Sequence, residues 1–126
     1  MAIIFKRSNA EKRSYERKGC YFLVKYRYSQ KGESYSESVT SLRNISGGGL
    51  LLKSKEFLPI GSKLELKINI VPLGLCVDAT AQVVRIEKIR GKLKTGYLAG
   101  VVFMDIKEED RKKIIDFVEM AKELTD

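Results

Sequence analysis

The chain has 126 residues, 44% hydrophobic and 32% charged, which argues for one domain around one core. It has no histidine, and its two cysteines, Cys20 and Cys76, show no CxxC spacing, so zinc sites and Cys/His or Ser/His catalysis are close to excluded. The net charge of +8 is unevenly placed: residues 1–31 hold nine basic residues against Glu11 and Glu16, and the rest of the chain is nearly neutral.

That basic quarter points to an anionic partner (nucleic acid, a nucleotide or a membrane surface) or to a solvated arm that serves solubility. The apolar run Ala2–Phe5 is cut short by Lys6 and Arg7, too early for a signal-peptide core or a bilayer span. The chain is therefore expected in the cytoplasm, with residues 1–18 a flexible basic segment and residues 19–126 the folded unit. Cys20 and Cys76 lie in apolar contexts and are expected as reduced core residues.

In chain order, Tyr21–Tyr28 (YFLVKYRY) is aromatic and β-branched and reads as a strand. A turn at Gln30–Glu33 leads to Ser34–Arg43, whose serines and threonines indicate a more exposed strand. Gly49–Ser54 gives a short strand and Pro59–Gly61 a break. Leu64, Leu66, Ile68 and Ile70 then alternate with Glu65, Lys67 and Asn69, which puts four apolar side chains on one face. After a turn at Pro72–Gly74, Val77, Ala79, Ala81 and Val83 share one parity of a long strand, while Val84 and Ile86 fall on the other. That switch predicts a bulge or burial on both faces. Gly96–Met104 forms the last strand. From Glu108 the period changes: Ile114, Phe117, Val118, Ala121 and Leu124 form a helical stripe, with Glu108, Glu109 and Asp110 in the first turn. Six short strands and one terminal amphipathic helix predict a mainly β fold, a small six-stranded antiparallel β-barrel with a C-terminal α-helix.

Two stretches carry candidate chemistry. Arg13 and Arg17, in RSYER before the first strand, are four residues apart and can clamp one ligand. Guanidinium groups bind phosphate in bidentate fashion, meet guanine through O6 and N7, and stack on base faces. Taken singly, such pairs are usually solvated. The second stretch is NISGGG (Asn44–Gly49), where Asn44 and Ser46 would share one face in extended chain and the glycines are free to adopt positive φ. An Asx-type turn alone would also explain it.

Together, RxxxR (Arg13, Arg17) before the first strand and NxSxxG (Asn44, Ser46, Gly49) between the second and third resemble the PilZ domain family. Ala99–Val118 and Asp78–Ile86 are similar to that family's last strand with its helix start and to its penultimate strand, so the resemblance covers roughly residues 10–120. It implies a split-barrel fold and a bacterial receptor for the second messenger cyclic di-GMP. Carried over, Arg13 and Arg17 are the clamp, Asn44 and Ser46 the base and phosphate contacts, and Gly49 the point of close approach. Lys12, Lys18, Arg43 and Gly48 are auxiliary candidates, and Gly47 and Gly48 read as turn residues. Lys107 departs from the family's capping serine or threonine. No catalytic residue, metal or cofactor is expected beyond the ligand itself. The partners expected are cyclic di-GMP and a downstream protein, with the chain a monomer or weak homodimer. Two other readings stay open at this stage. One is a PilZ-like interaction module without ligand. The other is a barrel that binds single-stranded nucleic acid through the basic segment and Tyr15, Tyr21, Tyr26 and Tyr28.

Overall fold

The computed structural model of the protein describes residues 21–28, 34–91 and 95–125. Six strands follow in order: β1 (Tyr21–Tyr28), β2 (Ser36–Ser41), β3 (Gly49–Ser54), β4 (Lys63–Ile70), β5 (Leu75–Arg90) and β6 (Thr95–Ile106). Among the described residues one α-helix, α1 (Glu108–Thr125), follows β6. All strand pairs are antiparallel, and the sheet order is β2-β1-β4-β5-β6-β3. The sheet curls until its edges β2 and β3 meet, giving a nearly closed barrel.

The alternation legible in β1 and β4 becomes the barrel interior. Phe22 and Val24 of β1 and Leu64, Leu66, Ile68 and Ile70 of β4 are almost wholly buried. Phe22 lies opposite Ile70, Val24 opposite Ile68 and Tyr26 opposite Leu66. These pairs fix the register, because a slip of one residue would turn every apolar side chain outward. In β5 the buried residues are Val77, Ala79, Ala81 and Val83. The pairing with β6 slips between Thr80 and Ala81 and again between Val83 and Arg85. The parity switch is therefore a bulge. Val84 is exposed there, whereas Ile86, on the new parity, packs against the core.

β2 is more exposed, as expected, at Ser36, Glu37 and Val39, but Ser38 and Thr40 are buried. They face the seam with β3, where no backbone ladder forms. The Ser38 hydroxyl accepts from the Lys53 amide (3.2 Å), and the Thr40 hydroxyl donates to the Leu51 carbonyl (3.4 Å). Polar side chains thus satisfy backbone groups that a sheet edge would leave open. Cys76, expected in the core, is exposed, because it neighbours inward-facing Val77 and so points outward on β5. Cys20 lies outside the described residues.

Helix α1 closes one end of the barrel. Of the predicted stripe, Ile114, Phe117, Val118 and Ala121 face in, while the side chain of Leu124 lies outside the described ones. Phe117 meets Phe22 edge to face, ring centroids 5.4 Å apart at 89°. The Lys107 carbonyl accepts from the amides of Asp110 and Arg111, both at 2.9 Å, and so starts the helix without a serine or threonine cap. Because Phe117 plugs the barrel mouth, Phe117→Ala is expected to cost about 3–5 kcal/mol through lost burial and a residual cavity. Urea unfolding should show this as a lower midpoint at an unchanged slope, and an unchanged midpoint would rule out a helix that seals the core.

Candidate ligand-binding loop

The stretch NISGGG joins β2 to β3 by a compact loop. Leu42–Asn44 forms a single 3-10 turn, with Leu42 buried, so the strand expected to run to Arg43 stops at Ser41 and Asn44 ends the turn. Ile45 is extended (φ −137°, ψ 145°), 5% exposed, and bridges Leu50. Ile45 points into the core, and Asn44 and Ser46 flank it along the chain. Both are partly exposed. Arg43 is exposed in the same 3-10 turn.

Ser46 organises the loop. Its amide donates to the Gly49 carbonyl (2.9 Å), and its hydroxyl accepts from the Gly48 amide (3.2 Å). A hydroxyl that accepts within its own turn keeps its proton to donate elsewhere. The Gly48 carbonyl accepts from the Phe103 amide (2.9 Å), which ties the loop to β6 one step before the ladder begins at Gly49 and Val102.

None of the three glycines has positive φ; among the described residues only Gly61 and Gly74 do. Their smallness serves packing. A Cβ on Gly49 would stand 2.1 Å from the Val101 carbonyl oxygen and 3.0 Å from Val102 Cα. The close approach at Gly49 is thus to the backbone of β6. A Cβ on Gly47 would stand 2.8 Å from Ile115 Cδ1 of α1, so Gly47 is a seat for the helix as well as a turn residue. Gly48 has nothing nearer than the Ser46 hydroxyl, at 3.8 Å, and is exposed. Sequence reasoning missed one further residue, Arg111 of α1, whose Nη1 donates to the Gly47 carbonyl at 2.6 Å from 64 residues away. No local pattern signals such a contact; only the closed fold creates it.

Arg13 and Arg17, with the auxiliary candidates Lys12 and Lys18, lie outside the described residues. A cleft of about 800 Å³ opens at the far end of β3 between Glu37, Lys53 and Tyr97 and shares no residue with the loop. Among the described residues no group of three or more His, Cys, Asp and Glu side chains could hold a metal, and no helix is long and apolar enough to cross a membrane.

The PilZ domain family model matches residues 11–120, a span that takes in both RxxxR and NxSxxG. The chain belongs to the PilZ family. No curated protein and no solved structure matches it. PilZ domains are generally modules that bind cyclic di-GMP, and they are not a known enzyme family.

The three glycines should separate cleanly under substitution. Gly49→Ala forces β3 from β6 backbone and is expected to destabilise by about 1–3 kcal/mol. Gly47→Ala meets only the end of a flexible Ile115 side chain and should cost less, while Gly48→Ala should stay within about 0.5 kcal/mol. Thermal midpoints of the three variants check the ranking, and a Gly48 variant less stable than the Gly49 variant would contradict the geometry.

Proposed function

We propose that the chain is a receptor for cyclic di-GMP. In this reading Arg13 and Arg17 grip the ligand's phosphates and guanines, while Asn44 and Ser46 meet it from the barrel. Lys12, Lys18 and Arg43 are auxiliary cations around the site, and Gly48 leaves room beside it. The observation that carries the proposal is the loop itself. Asn44 and Ser46 are partly exposed at a loop held by its own hydrogen bonds, with the Ser46 hydroxyl accepting and so keeping its proton to donate, in a chain that also has RxxxR.

The chemistry of the two halves is complementary. Cyclic di-GMP carries two phosphates and two guanines, the groups that guanidinium binds best, and it is a dianion facing the most basic quarter of the chain. An amide side chain offers a donor and an acceptor to a base edge, and a hydroxyl offers a donor to phosphate or base. Gly49 acts at one remove: it brings β3 onto β6 and so fixes where the loop ends. Binding draws the N-terminal segment against the barrel, because Arg13 and Arg17 then share one ligand with the loop, and the surface so formed meets a downstream protein in the cytoplasm.

Calorimetric titration of cyclic di-GMP into the wild type, Arg13→Ala, Arg17→Ala and Ser46→Ala tests this. A charge-assisted bond is worth about 1.5–3 kcal/mol, so each arginine variant should bind at least about tenfold more weakly. Ser46→Ala, which also loses the Gly48 contact, should weaken binding by a smaller factor. Arginine variants with wild-type affinity would sink the clamp. A wild type that ignores the dinucleotide but binds single-stranded oligonucleotides, more weakly as salt rises, would replace the proposal with nucleic-acid binding.

A further inference from the structure

We infer that Arg111 is a positioning residue for the ligand-binding loop: it holds the turn that presents Asn44 and Ser46 without itself touching ligand. The inference rests on the functional reading above for what the loop binds, but not for how the loop is held.

Three observations converge on Arg111. Its Nη1 donates to the Gly47 carbonyl at 2.6 Å, a short charge-assisted bond to the residue next to Ser46. Its aliphatic stem lies under the same glycine, with Cγ 3.4 Å from where a Cβ would stand, beside Ile115 Cδ1 at 2.8 Å. Helix and loop therefore meet through a hydrogen bond and a steric fit at one residue. The third observation is what the guanidinium forgoes. Nε lies 3.2 Å from Glu108 Oε1, within ion-pair range, yet it is buried and has no hydrogen-bond partner among the described residues. Glu108 thus neutralises the buried Nε side of the guanidinium while Nη1 stays directed at Gly47. An arginine serving only as an i,i+3 partner for Glu108 would stay at the exposed helix surface, where such pairs are weak.

The contact also completes the support of the loop. The Phe103 amide holds Gly48 from β6, and Ser46 holds Gly48 and Gly49 from within. Among the described residues Arg111 supplies the side-chain bond that reaches Gly47 from α1. Helix α1 is anchored in the core by Ile114 and Phe117, so the loop is referenced to the barrel interior through Arg111. A ligand that must meet both Asn44 and Ser46 gains from a turn already in place, because ordering it on binding would lower affinity.

The test compares wild type, Arg111→Met and Arg111→Lys as full chains. Methionine keeps the stem packed on Gly47 and removes the donor, and lysine restores one donor. Amide hydrogen exchange at residues 46–49 is read by NMR without ligand, and cyclic di-GMP affinity by calorimetry. Arg111→Met should speed exchange in the loop severalfold and weaken binding about five- to tenfold, with the exchange of β1 and β4 amides unchanged. Arg111→Lys should recover most of both losses. Loop exchange equal in wild type and Arg111→Met would overturn the positioning role whatever the ligand result. Faster loop exchange with undiminished affinity would overturn its bearing on binding while leaving the receptor reading intact. A wild type that binds no cyclic di-GMP would sink that reading and the ligand half of this inference, and loop exchange alone would then decide whether Arg111 holds the turn.

Discussion

The structure around the loop depends on one close approach: β3 begins at a residue without a Cβ because the carbonyl of Val101 occupies the place where a Cβ would stand. From that point the register of β3 on β6 is set. Leu50 falls opposite Val101 and Leu52 opposite Ala99, so both leucines enter the core. Leu51 falls opposite Gly100 on the other face and is buried as well. The same register sends the Phe103 amide to Gly48 and thereby decides where the loop stands.

Closure of the barrel poses a second problem, and the chain solves it with polar atoms. The outermost strands of the sheet, β2 and β3, approach each other without forming a ladder, and buried Ser38 and Thr40 bond to backbone groups of β3 instead. This arrangement has a consequence for the loop. A full ladder from β2 to β3 would carry the chain straight into a tight hairpin. The unpaired seam leaves room for a 3-10 turn and for Ile45 to dive into the core, with Asn44 and Ser46 on either side of it along the chain. The split in the barrel and the display of the motif are thus one feature.

How much of this was legible in the sequence follows from the range of each interaction. Alternation in β4, the helical stripe of α1 and the parity switch in β5 are local patterns, and each maps onto burial or a bulge as read. The spacing of Asn44, Ser46 and Gly49 was also legible, because it is a short motif. Illegible were features that need two distant segments at once. The serines of β2 looked solvent-facing because their partners, Lys53 and Leu51, are more than ten residues away. Gly49 read as a point of close approach for ligand because the strand that approaches it, β6, lies far along the chain. Gly47 read as a turn residue because Arg111 and Ile115 reach it only after α1 docks. Cys76 read as core because its neighbours are apolar, and only the pairing of β5 reveals which face it takes.

The uneven charge of the chain acquires a physical sense under the proposed function. A barrel whose backbone groups and loop are already satisfied can offer shape and directed hydrogen bonds, but it has little net charge to attract a dianion. A basic segment supplies that attraction, with a range of about 8–10 Å at physiological salt, but charge alone does not distinguish one phosphate compound from another. Discrimination then falls to the loop: Asn44 and Ser46 reward a partner with the matching base edge, and a partner without it leaves their polar atoms imperfectly matched. Such discrimination requires a loop that does not adjust to every comer. The glycine contacts and the Arg111 bond restrict that adjustment, so the packing that stabilises the fold also sets how selective the loop can be.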